Sequence, residues 1–469
     1  MGLLAAIATV VAGTLGAGLF VTIGTASSTT GPSVILGVLI TGVVAMSIGT
    51  YYCWMATIFP AAGGSYTYLS RTFQSRPIGF LVTWTKWLGY IAADAVLAIG
   101  FGSYLNVFLP DVPPAVSGFV LLTVLFVINL LGTKAYSASQ NIMFALLLAA
   151  ILVLVLPGLF SIDLANYQPF FTGGFNGFTA ATVPLFYAYI GIEVAAQMGA
   201  EVKNPARNLP LAMVGGIGIL IALFMLTALV IYGVVGDYTL LADSDRPLVT
   251  AADTFLGEAA VILVGVGGLL ATATSVHAVM IAAVKLPYSW SWDEVFPSWF
   301  SDVNKRFQTP HWSLLTLYVG ASLLMFWSGG LDRAIAIATF AYLVAYITVA
   351  VAALYIYMRK PKLAARAAFH PGPWFYIPLF IGGVGSVAII SQAAEWGALF
   401  TGQFGELTTF AIYLPWLAFG VVVYGFFHQL GKKRGTDVDA ILDTVPGDSA
   451  ARMSSVTQES SSGETGPKS

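Results

Sequence analysis

Residues 186–210 read FYAYIGIEVAAQMGAEVKNPARNLP. An otherwise apolar span carries Gly191 and the carboxylate Glu193, then closes in a polar Asn204-Pro205 turn. In a bilayer every backbone N–H and C=O needs a partner, so a helix-breaking glycine at membrane depth is tolerated where the freed groups face protein, water or a bound solute. A glutamate at the centre of such a span costs about 2.5–3.5 kcal/mol on insertion scales, so its default reading is functional. A second interrupted span is expected in VAGTLGAGLFVTIG, residues 11–24. Two interrupted spans in corresponding halves of a chain point to a transporter.

The rest of the chain supplies the membrane. Of its 469 residues 58% are hydrophobic and 9% charged, with a mean hydropathy of +0.83, whereas a soluble domain carries roughly 25% charged residues. A hydrocarbon core of about 30 Å needs about 20 helical residues per crossing. Twelve such spans are expected, beginning near residues 3, 33, 78, 114, 138, 178, 207, 258, 311, 331, 374 and 406. The runs are long and continuously apolar rather than short and alternating, which predicts an all-α integral membrane protein and excludes a β-barrel. The first run has no basic segment ahead of it and no apparent cleavage site, so it reads as a span rather than a leader.

Loop charge sets the expected orientation. Arg71, Arg76, Lys134, Lys203, Arg207, Lys305, Arg306, Arg359, Lys360, Lys362, Arg366, Lys432, Lys433 and Arg434 fall in one set of loops. The other set holds Arg246 and Arg333 against Asp111, Asp163, Asp237, Asp243, Asp245 and Asp332. Both termini are therefore expected in the cytoplasm of a multi-pass protein of the cell membrane. Residues 1–430 read as one transmembrane domain and 431–469, rich in Ser, Gly, Asp and Lys, as a disordered cytoplasmic tail.

Composition and motifs also exclude several functions. Cys53 is the only cysteine, so neither a disulfide framework nor a cysteine metal site can form within the chain. A net charge of −2 gives no reason to expect nucleic acid as a partner. No nucleotide-binding loop, Gly-rich filter loop or Ser-His-Asp set is recognisable, so neither a primary pump, a channel nor an intramembrane enzyme is the leading reading.

Spans one to five and six to ten are expected to form a 5+5 inverted repeat with broken helices 1 and 6, leaving two additional helices at the C-terminus. At Gly16, Ala17 and Gly18 small residues allow non-helical backbone and close approach to a solute. A half-helix starting near Gly18 would present free N–H groups to a carboxylate. Near Tyr189, Ile190 and Gly191 the second break would offer carbonyl oxygens to an ammonium. Donors and acceptors a few ångströms apart match the head group of an amino acid. The competing reading is that Gly16 and Gly18 only let helices pack closely.

Several stretches together resemble the amino acid-polyamine-organocation (APC) superfamily of permeases, with its leucine-transporter-like fold. They are Gly16-Ala-Gly18-Leu-Phe20, the run from Phe59-Pro60 through Gly63-Gly64 to Tyr66 and Tyr68, the Phe186–Glu193 break, the Asn204–Pro210 turn, and Tyr288, Asp293 and Pro297 at family spacing. The resemblance covers about residues 1–430. It implies that Gly16 to Gly18 bind the substrate carboxylate, that Tyr187 to Gly191 line the ammonium side with Tyr187 as a cap, and that Glu193 takes part in gating and proton response. The chain also departs from its relatives. Many proton-coupled relatives carry a lysine midway along span five, where this chain reads Phe144-Ala-Leu-Leu-Leu-Ala-Ala.

The remaining polar residues each allow a functional and a packing reading. Asp94, near the centre of span three, either neutralises a cationic side chain, takes a coupling proton or pairs with a buried polar group. Thr272, Thr274 and Ser275 in span eight either hold sodium or bond to the carbonyl four residues back. His277 either relays protons or packs neutral. Lys86 and Lys285 are expected to snorkel, and Trp84, Trp87, Trp290 and Trp292 to form an interfacial belt. Glu201 and Arg207 form a candidate gate pair. The leading expectation is a secondary transporter of amino acids, driven by H+ or Na+ or working by exchange, with no organic cofactor and no protein-bound metal centre. A polyamine or organic-cation carrier of the same fold is the alternative.

Overall fold

The computed structural model describes residues 2–60, 63–130, 134–193, 202–302, 309–327, 330–394, 409–434 and 438–443; these form helices and connecting turns, with no strand among them. The helices are α1 Leu3–Thr30, α2 Val34–Ile58, α3 Ser65–Phe73, α4 Arg76–Leu105, α5 Pro114–Leu130, α6 Lys134–Gly158, α7 Gly174–Tyr187 and α8 Pro205–Val234. They continue with α9 Pro247–Phe255, α10 Glu258–Ala283, α11 Lys285–Trp292, α12 His311–Trp327, α13 Leu331–Arg359, α14 Tyr376–Ala393, α15 Thr409–Arg434 and α16 Val438–Asp443. A helix begins within four residues of each of the twelve expected starts; the largest differences fall at α6 and α7.

Seven helical stretches among the described residues are long and apolar enough to cross a membrane by length and composition. They lie in α4, α8, α10, α13, α14, α15 and in the run Phe20–Ile58 that joins α1 to α2. Pro32, Pro77 and Pro205 stand in the first turns of their helices, where a missing N–H breaks no hydrogen bond and the fixed φ already suits the helix. The outer surface carries exposed Val, Leu and Phe, including Val384, Val387, Phe419, Val422 and Phe426, as expected where the solvent is lipid.

Helix α4 is the centre of the bundle and packs against α13, α10, α5, α12 and α15. Its most apolar window is 83% buried, against 28% for α14 and 17% for α15, so the last two long helices lie at the periphery. α15 is held to α4 by a reciprocal pair: Trp84 Nε1 donates to the Trp416 carbonyl and Trp416 Nε1 to the Trp84 carbonyl, each at 2.9 Å. The two indoles stack with centroids 4.7 Å apart, a contact worth about 0.5–1.5 kcal/mol beyond area burial.

Four sequence expectations change here. The backbone of α1 is helical without interruption through Gly16, Ala17 and Gly18. The flanking Ala and Leu residues favour an unbroken run, and glycine, though free to leave the helix, is not forced to. Trp84, Trp87 and Trp290 are buried and packed on one another rather than spread in an interfacial belt. Lys86 is buried in the bundle instead of snorkelling. The boundary at 430/431 falls inside α15, and residues 438–443 of the expected tail form α16, with Ile441 and Leu442 buried.

Candidate functional site

The interruption in span six is real and has identifiable causes. Pro184 lies in the last turn of α7, where its ring removes a backbone donor, and the helix ends at Tyr187. The chain then turns through Gly191, whose φ of +106° favours glycine, before a helical pair at Ile192 and Glu193. Residues 194–201 lie outside the described residues, and with them Glu201 of the expected Glu201–Arg207 pair. Tyr187 and Tyr189 are fully buried and Ile190 nearly so. The Tyr187 hydroxyl donates to the Ala93 carbonyl of α4 at 3.2 Å, and that of Tyr189 to the Val38 carbonyl of α2 at 2.9 Å.

This segment sits directly on α1. A Cβ built on Gly18 would fall 2.3 Å from the Ala188 Cα, and one built on Gly191 would fall 3.0 Å from the Gly13 carbonyl oxygen. Spans one and six therefore meet, as expected. They do so with α1 intact, and the absent Gly18 side chain allows the close packing. The side chain of Ala17 and the packing around Gly16 lie outside the described residues.

Two residues beyond Gly191, Glu193 enters a site that spans five segments. Its Oε1 lies 3.3 Å from Lys86 Nζ of α4, with both side chains buried. Tyr346 of α13 donates to Oε2 at 2.6 Å and Tyr90 of α4 to Oε1 at 3.3 Å. Lys86 also donates to Ser65 Oγ of α3 at 3.1 Å, and that oxygen shares a 3.0 Å hydrogen bond with Tyr52 of α2. The Tyr52, Tyr90, Tyr342 and Tyr346 rings lie 5.4–5.6 Å from the ammonium. Each desolvated cation–π contact of this kind contributes up to about 2 kcal/mol, and removing one member of a buried ion pair costs about 3–5 kcal/mol. Sequence reading missed Lys86 because its position in the span was taken to let the stem reach the interface. The signal available was a lone lysine in the same span as Asp94.

Asp94 lies one turn beyond Tyr90 on α4. It is fully buried, and neither carboxylate oxygen has a hydrogen-bond partner among the described residues. It stands within electrostatic range of Tyr187 and Tyr342, and the Tyr342 hydroxyl is likewise without a hydrogen bond among them. A buried carboxylate without a donor costs far more than a paired one, so this group is suited to a cation or a proton arriving from outside the protein. On α10 the hydroxyls of Thr272 and Thr274 donate to the carbonyls of Gly268 and Leu270, each at 2.8 Å, while buried Ser275 Oγ has no hydrogen-bond partner among the described residues. His277 Nε2 lies 2.9 Å from Asn129 Oδ1 of α5.

A second buried polar cluster centres on Asp293. Arg71 of α3 forms a two-pronged ion pair with Asp293, just after α11. Tyr66 donates to the same carboxylate at 2.6 Å and Arg76 Nη1 to the Asp293 carbonyl at 3.0 Å. Arg71 Nη2 also donates to the Ile441 carbonyl of α16 at 3.1 Å. Beside this cluster a cavity of about 660 Å³ is lined by Arg359, Lys360, Lys362 and Arg366 together with Leu442 and Asp443. Arg71 and the cations that follow α13, far apart in sequence, thus line one cavity.

With this geometry in hand, comparison with known proteins is informative. The family model described as "Amino acid permease" matches residues 1–426. Over 439 residues the chain is 25% identical to the methylthioribose transporter of Bacillus subtilis (strain 168), covering 88% of this chain and 90% of that protein. It is 23% identical over 440 residues to the branched-chain amino acid permease BcaP of the same organism, covering 89% and 90%. Over 343 residues it is 31% identical to the vacuolar cationic amino acid transporter 4 of Arabidopsis thaliana, covering 67% of this chain and 56% of that one.

Proposed function

The chain belongs to the amino acid permease family, and on that premise we propose that it is a secondary transporter that carries amino acids across the cell membrane by alternating access. Its family and relatives are named as permeases and transporters, so it is a transporter and not an enzyme. The observation that carries the finer reading is the break after Tyr187, packed on Gly18 and joined at Gly191 to a buried ion pair. A helix interrupted at membrane depth beside unpaired buried polar groups is the setting in which transporters of this architecture hold their solutes.

In this proposal the fold comprises twelve spans with a 5+5 inverted repeat, and both termini lie in the cytoplasm at the basic end. Loading separates Gly18 from Ala188. Backbone around Gly16, Ala17 and Gly18 then faces the substrate carboxylate, and the Tyr187–Gly191 segment, with Tyr189 and Ile190, faces the ammonium. Glu193 gates the movement and Asp94 reads charge. A proton or sodium gradient, or a counter-substrate, drives it, with Thr272, Thr274 and Ser275 as the sodium candidates. A second reading, an organic-cation or polyamine carrier, is favoured by one observation: the buried Asp94 carboxylate has no donor among the described residues.

Purified protein in proteoliposomes, supplied with a panel of labelled amino acids and polyamines under sodium or pH gradients, tests the proposal. Saturable uptake of one or more amino acids is expected. Uptake of polyamines alone selects the second reading, and no uptake of any panel member refutes both.

A further inference from the structure

Lys86 is buried in the middle of the bundle, between residues that reach it from α2, α3, α4, α13 and the segment after α7. A lone ammonium there would be costly, and so would a lone carboxylate; at 3.3 Å each offsets part of the other's penalty. The two partners come from elements of opposite character. Lys86 belongs to α4, the most buried long helix, whereas Glu193 sits two residues past a glycine whose backbone angle few side chains tolerate. The tie therefore runs from the most buried long helix to the segment interrupted after Tyr187.

We propose that Lys86 is the positioning residue of the transport site: it holds the Glu193 carboxylate, and with it the Ala188–Gly191 break, in the sealed state, and the pair as a unit sets how transport responds to pH. This rests on the transporter reading above and adds to it the partner of Glu193. The surroundings suit a pair that separates and re-forms. When Glu193 moves away with its segment, the Tyr52, Tyr90, Tyr342 and Tyr346 rings and Ser65 Oγ still receive the ammonium. When it returns, the Tyr346 and Tyr90 hydroxyls and Lys86 are aimed at its two oxygens. Among the described residues the ionisable groups facing the pair are these four tyrosines and Tyr68, which stands within electrostatic range of Glu193; Asp94, one turn along α4, stands within electrostatic range of Tyr187 and Tyr342.

The test is a charge-balance series in proteoliposomes: Lys86→Met, Glu193→Gln, the double variant and Lys86→Arg. Each is assayed for substrate exchange, for uptake across a range of pH, and for thermal stability in detergent. Lys86→Met leaves Glu193 without its counter-charge and is expected to lower exchange by about tenfold or more, with a fall in thermal stability. The double variant carries no unpaired charge, so its exchange is expected to exceed that of Lys86→Met while its uptake no longer varies with pH as in the native protein. Lys86→Arg keeps the charge and is expected to retain the native pH profile at reduced rate. A double variant no better than Lys86→Met, or a Lys86→Met protein with native exchange and native pH profile, overturns the proposal. The double-mutant cycle in thermal stability remains readable in a protein that transports nothing. Loss of native uptake with an intact cycle therefore refutes the transporter reading, whereas an absent cycle refutes the pairing.

Discussion

Gly18 of α1 and Ala188, the first residue beyond α7, touch backbone to backbone: a Cβ on Gly18 would lie 2.3 Å from the Ala188 Cα and 2.4 Å from its carbonyl oxygen. No side chain fits between the intact first span and the interrupted sixth. In the proposed transport cycle these two elements part for a solute to enter.

The backbone at Gly191 gives a separate test. With φ at +106° and the Gly13 carbonyl oxygen 3.0 Å from where a methyl group would stand, Gly191→Ala should cost about 1–3 kcal/mol of local strain. Uptake is expected to fall by more than the modest drop in melting temperature explains. Native uptake in a stable Gly191→Ala protein would mean that this break is not part of the site.

Asp94 separates the substrate classes. Asp94→Asn replaces a buried carboxyl group whose oxygens have no hydrogen-bond partner among the described residues, so the protein is expected to keep its thermal stability. If the carboxylate reads a substrate charge, uptake of lysine and arginine falls at least about tenfold while that of neutral amino acids is retained. Equal loss for all substrates would assign Asp94 to ion coupling instead.

At the basic end, Asp293→Asn weakens the two-pronged pair with Arg71 and leaves a buried guanidinium undercompensated. A cost of about 3–5 kcal/mol is expected for the loss of a buried partner. Hydrogen exchange in α3 should rise, since Arg71 and Tyr66 both anchor this helix to the Asp293 carboxylate. Unchanged exchange in α3 would show that the cluster does not hold this end closed.

The positions of the long helices were legible because hydropathy and length act residue by residue along one chain. The break at Gly191 was legible for the same reason: a glycine and a glutamate two residues apart in an apolar span leave a local mark, whereas Pro184, just ahead of the stretch, was not read. The continuity of α1 was not. Gly16 and Gly18 permit both a bend and a tight contact, and Ala188 across the interface decides between them in this state. Lys86 was misplaced because depth in a span was judged from sequence distance to the helix end, whereas its destination depends on Glu193, 107 residues away, and on rings from α2 and α13. Trp84, Trp87 and Trp290 were likewise read from a membrane-wide preference, and their mutual packing is a tertiary fact.

The central claim is that substrate sits where α1 meets the interrupted sixth span. Equilibrium binding of a labelled transported amino acid to purified native protein and to Gly18→Val, with both shown to be folded by thermal unfolding, tests it most directly. Saturable binding to the native protein and its loss in Gly18→Val, whose side chain would occupy the Ala188 contact, is the predicted result. Undiminished binding by a folded Gly18→Val protein would contradict it.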